Sequence, residues 1–220
     1  MRSPKRVTLF CGHYGSGKTN CAVNYALWLK AQGLPVTLAD IDVVNPYFRS
    51  RDSEETLRNA GVEVIALPYA NSNVDLPALP SEVYGLVQRR DTYAVLDIGG
   101  DDRGALALGR FAPYILKEND FDLLDVVNFY RPLTRTPGEA LEAMREIAAS
   151  TSLPFTGVVN DSNLGEETTA ADVLRTVPMA AEFCRLAGLP LKFTAVRGNL
   201  AESVSAAPEV FPIRLQKKPF

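Results

Sequence analysis

The chain has 220 residues and a net charge of −3, from 23 lysines and arginines against 26 aspartates and glutamates. With 46% apolar and 22% charged residues, the composition excludes a disordered or fibrous chain and lacks the basic excess of a nucleic-acid-binding domain. The length suits a single domain over 1–220 with one sizeable core. No apolar run reaches the about 18 residues of a spanning helix, and the run after Lys5 and Arg6 is too short for a secretory leader, so a cytoplasmic protein without membrane contact is expected.

Three scattered cysteines, Cys11, Cys21 and Cys184, and the single histidine His13 make neither a disulfide framework nor the four soft ligands of a structural zinc site. Cys11 and Cys21 read as small core residues.

Val7 to Cys11 is rich in β-formers and ends at Gly12, which predicts a first strand. Residues 18–31 repeat apolar groups at helical spacing, and Gly33 suits the helix end. Pro35 to Ala39 reads as a second strand. A short helix over 53–60, capped by Ser53, leads to a third strand at Val62 to Leu67. Residues 68–80, with three prolines, read as loop. A helix at Ser81 to Arg90, a strand from Tyr93 to Leu96 and a helix at 104–117 follow. Phe121 to Phe129 reads as a strand, with Asp125 as a charge inside an apolar run. Pro137 to Ala149 is a helix with proline in its first turn. Phe155 to Val159, a helix over 167–187 ending at Gly188, and Leu191 to Val196 continue the alternation, and Val210 to Leu215 offers a last strand. This alternation predicts an α/β fold: a mostly parallel sheet with helices on both faces.

The strongest local signal is Gly12-His13-Tyr14-Gly15-Ser16-Gly17-Lys18-Thr19. It fits G-x-x-x-x-G-K-[ST] and lies between a predicted strand and a predicted helix, as a phosphate loop requires. Its glycines let backbone N–H groups turn in around phosphate oxygens, and the positive end of the helix faces the same anion. Lys18 is placed to neutralise phosphate oxygens and the Thr19 hydroxyl to ligate magnesium. Gly12, Gly15, Ser16, Gly17, Lys18, Thr19 and Asn20 are thus candidate nucleotide ligands.

Two carboxylate-bearing strand ends complete the candidate site. Leu38 to Asp42 places Asp40 and Asp42 at the C-terminal end of the second strand, where ligand crevices open in parallel sheets. Either aspartate also suits capping of the turn at Asn45-Pro46. Tyr93 to Asp97 repeats an apolar strand followed by aspartate, the Walker-B form in which the carboxylate serves magnesium. Gly99-Gly100 after it permits close backbone approach to a phosphate.

Together Gly12 to Thr19, Leu38 to Asn45 and Val95 to Gly100 resemble the MinD/ParA/ArsA group of P-loop ATPases, the CobQ/CobB/MinD/ParA nucleotide-binding domain. The resemblance implies the P-loop NTPase fold, with ATP and Mg²⁺ as ligands and ATP hydrolysis as the activity. It implies Lys18 as the phosphate lysine, and Thr19, Asp42 and Asp97 at the metal, with Asp42 positioning the attacking water. It also makes Asn160, in Val158-Val159-Asn160, the adenine contact, although Asn160 equally suits a turn with Asp161. The group carries a second lysine after its first glycine, reaching the partner's nucleotide across a dimer. His13 stands there instead, and an imidazole supplies no permanent charge. The loop is in this respect similar to that of dethiobiotin-synthetase-like enzymes.

The resemblance implies a switch that associates with a protein partner and leaves room for a homodimer. The alternative is an ATP-dependent ligase or kinase acting on a small carboxylate substrate, with Arg131 and the 68–80 loop lining its pocket; a non-hydrolysing nucleotide-binding scaffold is a third reading. Closely spaced cysteines for an iron–sulfur cluster are missing, and prolines in the segment from Val210 to Phe220 disfavour a lipid-binding helix, with Lys217 and Lys218 read as a solvated end. Tyr25, Trp28 and Leu29 read as core or interface, and Tyr47-Phe48-Arg49 as core or partner surface. Arg131 and Arg135, on the crevice side after the fifth strand, read first as solvated and second as contacts for a phosphate or an acidic substrate.

Overall fold

The computed structural model describes residues 3–41, 51–66, 81–99 and 102–215. The expectations for Asp42, Asn45-Pro46, Tyr47-Phe48-Arg49, the 68–80 loop, Gly100, Lys217 and Lys218 lie outside the described residues.

Eight strands form one sheet: β1 (Val7–Cys11), β2 (Val36–Asp40), β3 (Glu63–Ala66), β4 (Tyr93–Asp97), β5 (Phe121–Val127), β6 (Gly157–Asn160), β7 (Leu191–Arg197) and β8 (Val210–Ile213). Their order is β3-β2-β4-β1-β5-β6-β7-β8. Every neighbouring pair is parallel, the last strand included. Among the described residues six α-helices accompany them: α1 (Lys18–Ala31), α2 (Arg51–Asn59), α3 (Ser81–Gln88), α4 (Asp102–Glu118), α5 (Pro137–Ser150) and α6 (Ala170–Ala187).

The helices cover both faces, which is why the central strands read as nearly unbroken apolar runs. On one face α1 packs Cys21, Ala22, Tyr25, Ala26 and Leu29 onto Phe10, Leu38, Leu124 and Val126, and α2 adds Leu57. On the other, Val83 and Leu86 of α3 and Leu108, Phe111 and Ile115 of α4 pack onto Leu9, Cys11, Leu96 and Leu123. Farther along that face α5 and α6 bring Met144, Ala180 and Phe183 to Val127, Phe129 and Val158. An aromatic cluster ties α1 to β7 and β8: Tyr25 lies parallel to Phe193 at 6.4 Å, Phe193 meets Phe211 at 4.8 Å, and Trp28 meets Phe211 edge-on at 6.2 Å. Such pairs add about 0.5–1.5 kcal/mol each beyond their buried area.

At the opposite end of the sheet from the phosphate loop, buried Arg6 joins three elements. Its guanidinium pairs with Glu118 at the end of α4 and donates to the Val87 and Arg89 carbonyls at 2.9 and 2.6 Å.

Some boundaries move, for local reasons. β5 stops at Val127, because the Asn128 side chain accepts from the Tyr130 N–H and turns the chain. β6 runs from Gly157 to Asn160 rather than from Phe155. The helix expected from 167 begins at Ala170: a 3-10 turn occupies Gly165–Glu167, and Thr169 and Asp172 cap each other reciprocally. A similar capping box, Thr136 with Glu139, opens α5.

Candidate functional site

Gly12 to Gly17 joins β1 to α1, and its glycines are required by contact as well as by conformation. At Gly12 (φ 142°) a Cβ would run into the Val126 carbonyl of β5. At Gly17 (φ 96°) it would overlap the Asp161 carboxylate. Gly17 is the left-handed N-cap of α1, without a side-chain cap, and the first turn of α1 holds no acidic residue. The helix therefore presents uncapped N–H groups at the loop, the arrangement that favours an anion. Within the loop the Ser16 N–H closes a turn onto the His13 carbonyl at 3.1 Å. The Ser16 hydroxyl is buried without a hydrogen-bond partner among the described residues.

Lys18 is only 5% exposed. Next to it the Thr19 hydroxyl donates to Asp97 Oδ2 at 2.5 Å, bringing the first turn of α1 to the end of β4. Asp40 is the register partner of Asp97 on β2, and both are buried. The Ile41 N–H donates to the Asp97 carbonyl at 2.9 Å, which fixes where β2 ends relative to β4. Asp42 follows directly and lies outside the described residues, as does any contact it makes.

Hard oxygen ligands and few of them suit magnesium, which keeps waters and takes phosphate oxygens alongside one or two protein ligands. The Thr19 hydroxyl and the Asp97 carboxylate form such a set. Among the described residues no group of three or more His, Cys, Asp or Glu is placed to hold a metal without a phosphate.

The strand order sets β5 beside β1 and β6 beyond β5, and residues of the loops that follow them, Arg131 and Asp161, reach Gly15 and Gly17 of the phosphate loop. Asn160 is fully buried, and its amide is committed internally. It donates to Thr176 Oγ1 at 3.2 Å, and its oxygen accepts from the Ser162 N–H and hydroxyl at 3.2 and 2.6 Å. Asp161, 1% exposed, lies under Gly17 with Oδ2 lacking a hydrogen-bond partner among the described residues. Burial pushes its carboxyl well above the usual range, against a hydrogen bond from Asn163 and the charge of Arg131.

Arg131 is not merely solvated. Its Nε–H donates to the Gly15 carbonyl at 3.0 Å, which docks the β5–α5 loop onto the phosphate loop. Asp125 stays inside β5, 4% exposed, opposite Cys11 in register. Burial raises its carboxyl from 3.8 to about 7, partly offset by the Lys18 charge. Burial, with Asp125 beside it, raises the Cys11 thiol to about 12, and burial raises Cys21 well above its usual value.

No protein-family model matches the sequence, and no curated protein matches it. Solved structures do match. FtsY from Mycoplasma mycoides superposes with a TM-score of 0.61 at 16% identity, over 89% of this chain and 61% of that one. The signal recognition particle receptor FtsY from Elizabethkingia anophelis gives 0.56 at 19% identity, over 88% and 59%. The signal recognition particle 54 kDa protein from Aeropyrum pernix K1, solved with GDP, gives 0.55 at 16% identity, over 88% and 42%. The fold shared with them is that of the P-loop nucleoside triphosphatases. The chain spans less than two thirds of the length of each of these proteins, and at such identities the likeness is one of fold.

The P-loop fold gives the loop its context: a glycine-lined turn between the central strand and an uncapped helix, with a carboxylate bonded to its threonine. His13 is half-buried, its Nδ1 3.1 Å from the Tyr14 carbonyl, and Tyr14 beside it is 61% exposed. Among the described residues no helix is long and apolar enough to cross a membrane. Asp161 and Asn128 were not legible as site residues in the sequence. The signal available was a pair of Asn-containing turns after β5 and β6, and those residue types are common in any turn.

Proposed function

We propose that the chain is a magnesium-dependent nucleoside triphosphatase acting as a switch, similar to the MinD/ParA-type ATPases. The observation that carries this reading is the Thr19–Asp97 hydrogen bond at 2.5 Å. It places a hydroxyl and a carboxylate together beside a buried lysine and an uncapped helix end. Bound magnesium would supply charge neutralisation between the phosphates, with Thr19 and Asp97 as its protein ligands. The loop amides orient the phosphate chain, Lys18 draws charge from its oxygens, and Asp42 orients the attacking water. The segments after Asp42 and Asp97 are the elements that respond to the γ-phosphate, and their output is association with a protein partner or with a second copy of the chain.

ATP is the nucleotide favoured by the motif resemblance. GTP is the second reading, favoured by the guanine nucleotide bound to the 54 kDa protein of similar fold. The internal bonds of Asn160 bear on the choice: a direct adenine contact from its amide requires giving up Thr176 or Ser162. The test is turnover of ATP and of GTP with and without magnesium, in the wild type, Lys18→Ala and Asp42→Ala. We expect magnesium-dependent turnover of one nucleotide and its loss by a factor of about 100 or more in both variants. Undiminished turnover in both would refute the assignment.

A further inference from the structure

We propose that Arg131 is a ligand of the nucleotide's phosphate chain, acting within its own subunit from a dock on Gly15 of the phosphate loop. The inference rests on the nucleotide-binding reading above and adds a second cation to it.

Arg131 reaches the loop at its exposed crown. The side chain lies alongside Gly15: a Cβ built there would be 3.7 Å from Nε and 3.8 Å from Cδ, in ordinary van der Waals contact. Gly15 is left-handed, at φ 76°, so its backbone conformation favours glycine. The Nε–H bond to the Gly15 carbonyl uses only one of the five donors of the guanidinium. Its four terminal N–H donors have no hydrogen-bond partner or ion pair among the described residues, and the Nε bond holds the guanidinium against the phosphate loop.

The loop that presents Arg131 is stiff. The Arg131 N–H donates to the Asn128 carbonyl at 3.1 Å, and the Thr134 N–H to the Arg131 carbonyl at 3.3 Å. The Thr134 hydroxyl donates to the Asn128 carbonyl at 2.7 Å. The Asn128 side-chain oxygen accepts from the N–H groups of Tyr130 and Asn163 at 3.0 and 3.4 Å, and the Phe129 N–H donates to Ser162 Oγ at 3.0 Å. Leu133 holds a left-handed φ of 67°, a conformation that costs free energy in a non-glycine residue and is retained where the surroundings enforce it.

Charge favours a phosphate as the recipient. The carboxylate near Arg131 is that of Asp161, which is buried beneath Gly17 and so disfavoured in its charged form; it does not neutralise the arginine as a surface partner would. Lys18 is the one lysine of the loop, and His13 adds no permanent charge. A planar guanidinium fork matches phosphate oxygens in geometry as well as in sign.

Arg131→Gln provides the test, because glutamine sets its amide nitrogen as many bonds along the side chain as arginine Nε. It keeps a donor for the Gly15 carbonyl and removes the charge and the fork. Fluorescent ATP and GTP, the corresponding diphosphates and the unphosphorylated nucleosides would be titrated against wild type, Arg131→Gln, Arg131→Lys and the exposed control Arg135→Gln. We expect Arg131→Gln to weaken tri- and diphosphate binding by about 10–100-fold, to leave nucleoside binding unchanged, and to flatten the salt dependence of Kd. Arg131→Lys should fall between, and Arg135→Gln should match wild type. Arg131→Gln binding phosphates as tightly as wild type would overturn the inference and leave Arg131 a loop prop. Wild type binding no triphosphate would instead remove the nucleotide reading, and this inference with it.

Discussion

Asp125→Asn isolates one buried charge beside the phosphate loop. The carboxyl sits on β5 opposite Cys11, and its main perturbation is burial, opposed by Lys18. Moving it from 3.8 to about 7 corresponds, at about 1.4 kcal/mol per tenfold change in proton affinity, to about 4 kcal/mol. The sign follows from linkage. Between pH 4 and 7 the folded state holds a proton that the unfolded chain has released, so stability falls as pH rises through that window. Below it the group contributes no penalty; above pH 7 the penalty is complete. Asparagine is nearly isosteric and does not ionise, so the variant should be more stable than wild type by up to about 4 kcal/mol at pH 8 and little different at pH 4. Urea unfolding of both proteins from pH 4 to 8 reads the difference directly, and the other carboxylates cancel in the comparison. A difference that stays flat across the range would refute the account of Asp125 as a desolvated acid. The same reasoning links Asp125 to the site. Lys18 lowers its proton affinity, so Lys18→Met should move the pH dependence of wild-type stability upward.

Two further substitutions test the framework around the site. Gly17→Ala places a methyl group onto Asp161 Oδ2 at a left-handed position and should abolish triphosphate binding in titration calorimetry; binding within threefold of wild type would contradict the contact. Arg6→Ala leaves Glu118 and two backbone carbonyls without their donor and should cost about 3–5 kcal/mol in urea unfolding without changing the Kd of nucleotide once folded. A loss below about 1 kcal/mol would place the Arg6 pair among ordinary surface ion pairs.

What the sequence made legible is what the chain holds close together. Strand, glycine loop, lysine and helix are contiguous from Val7 to Ala31, so the motif and its context could be read in one pass, and β1 and α1 have the expected bounds. Asp97 stands out in the sequence as the aspartate that closes an apolar strand, a pattern shared with ordinary strand-to-helix turns, and the structure sets it against the Thr19 hydroxyl. The Arg131–Gly15 bond joins residues 116 positions apart, and no local pattern announces it. Asp125 was visible as an anomaly in an apolar run, but whether such a charge is buried or marks a turn depends on Cys11 and Lys18 across the sheet. The start of α6 was misplaced for a local reason: Glu166 and Glu167 are good helix formers, yet Thr169 with Asp172 makes the stronger start signal.

The strand order gives the site two flanks with separate origins. β2 and β4, on one side of β1, bring Asp40 and Asp97; β5 and β6, on the other, bring Arg131 and Asp161. The second flank is knit together by Asn128, which accepts from the Asn163 N–H and donates to its carbonyl at 3.2 Å. Between the flanks the loop carries local costs: three left-handed glycines, a buried hydroxyl on Ser16 and a buried carboxylate oxygen on Asp161, both without partners among the described residues. Buried unsatisfied polar atoms cost about 1–3 kcal/mol each; the Ser16 hydroxyl is a donor that a phosphate oxygen would satisfy under the proposed function, and Asp161 lies beneath the loop at Gly17. Under the proposed function the flank holding Asp97 meets the magnesium and the γ-phosphate, while the flank holding Arg131 is cross-linked by hydrogen bonds between the loops that follow β5 and β6.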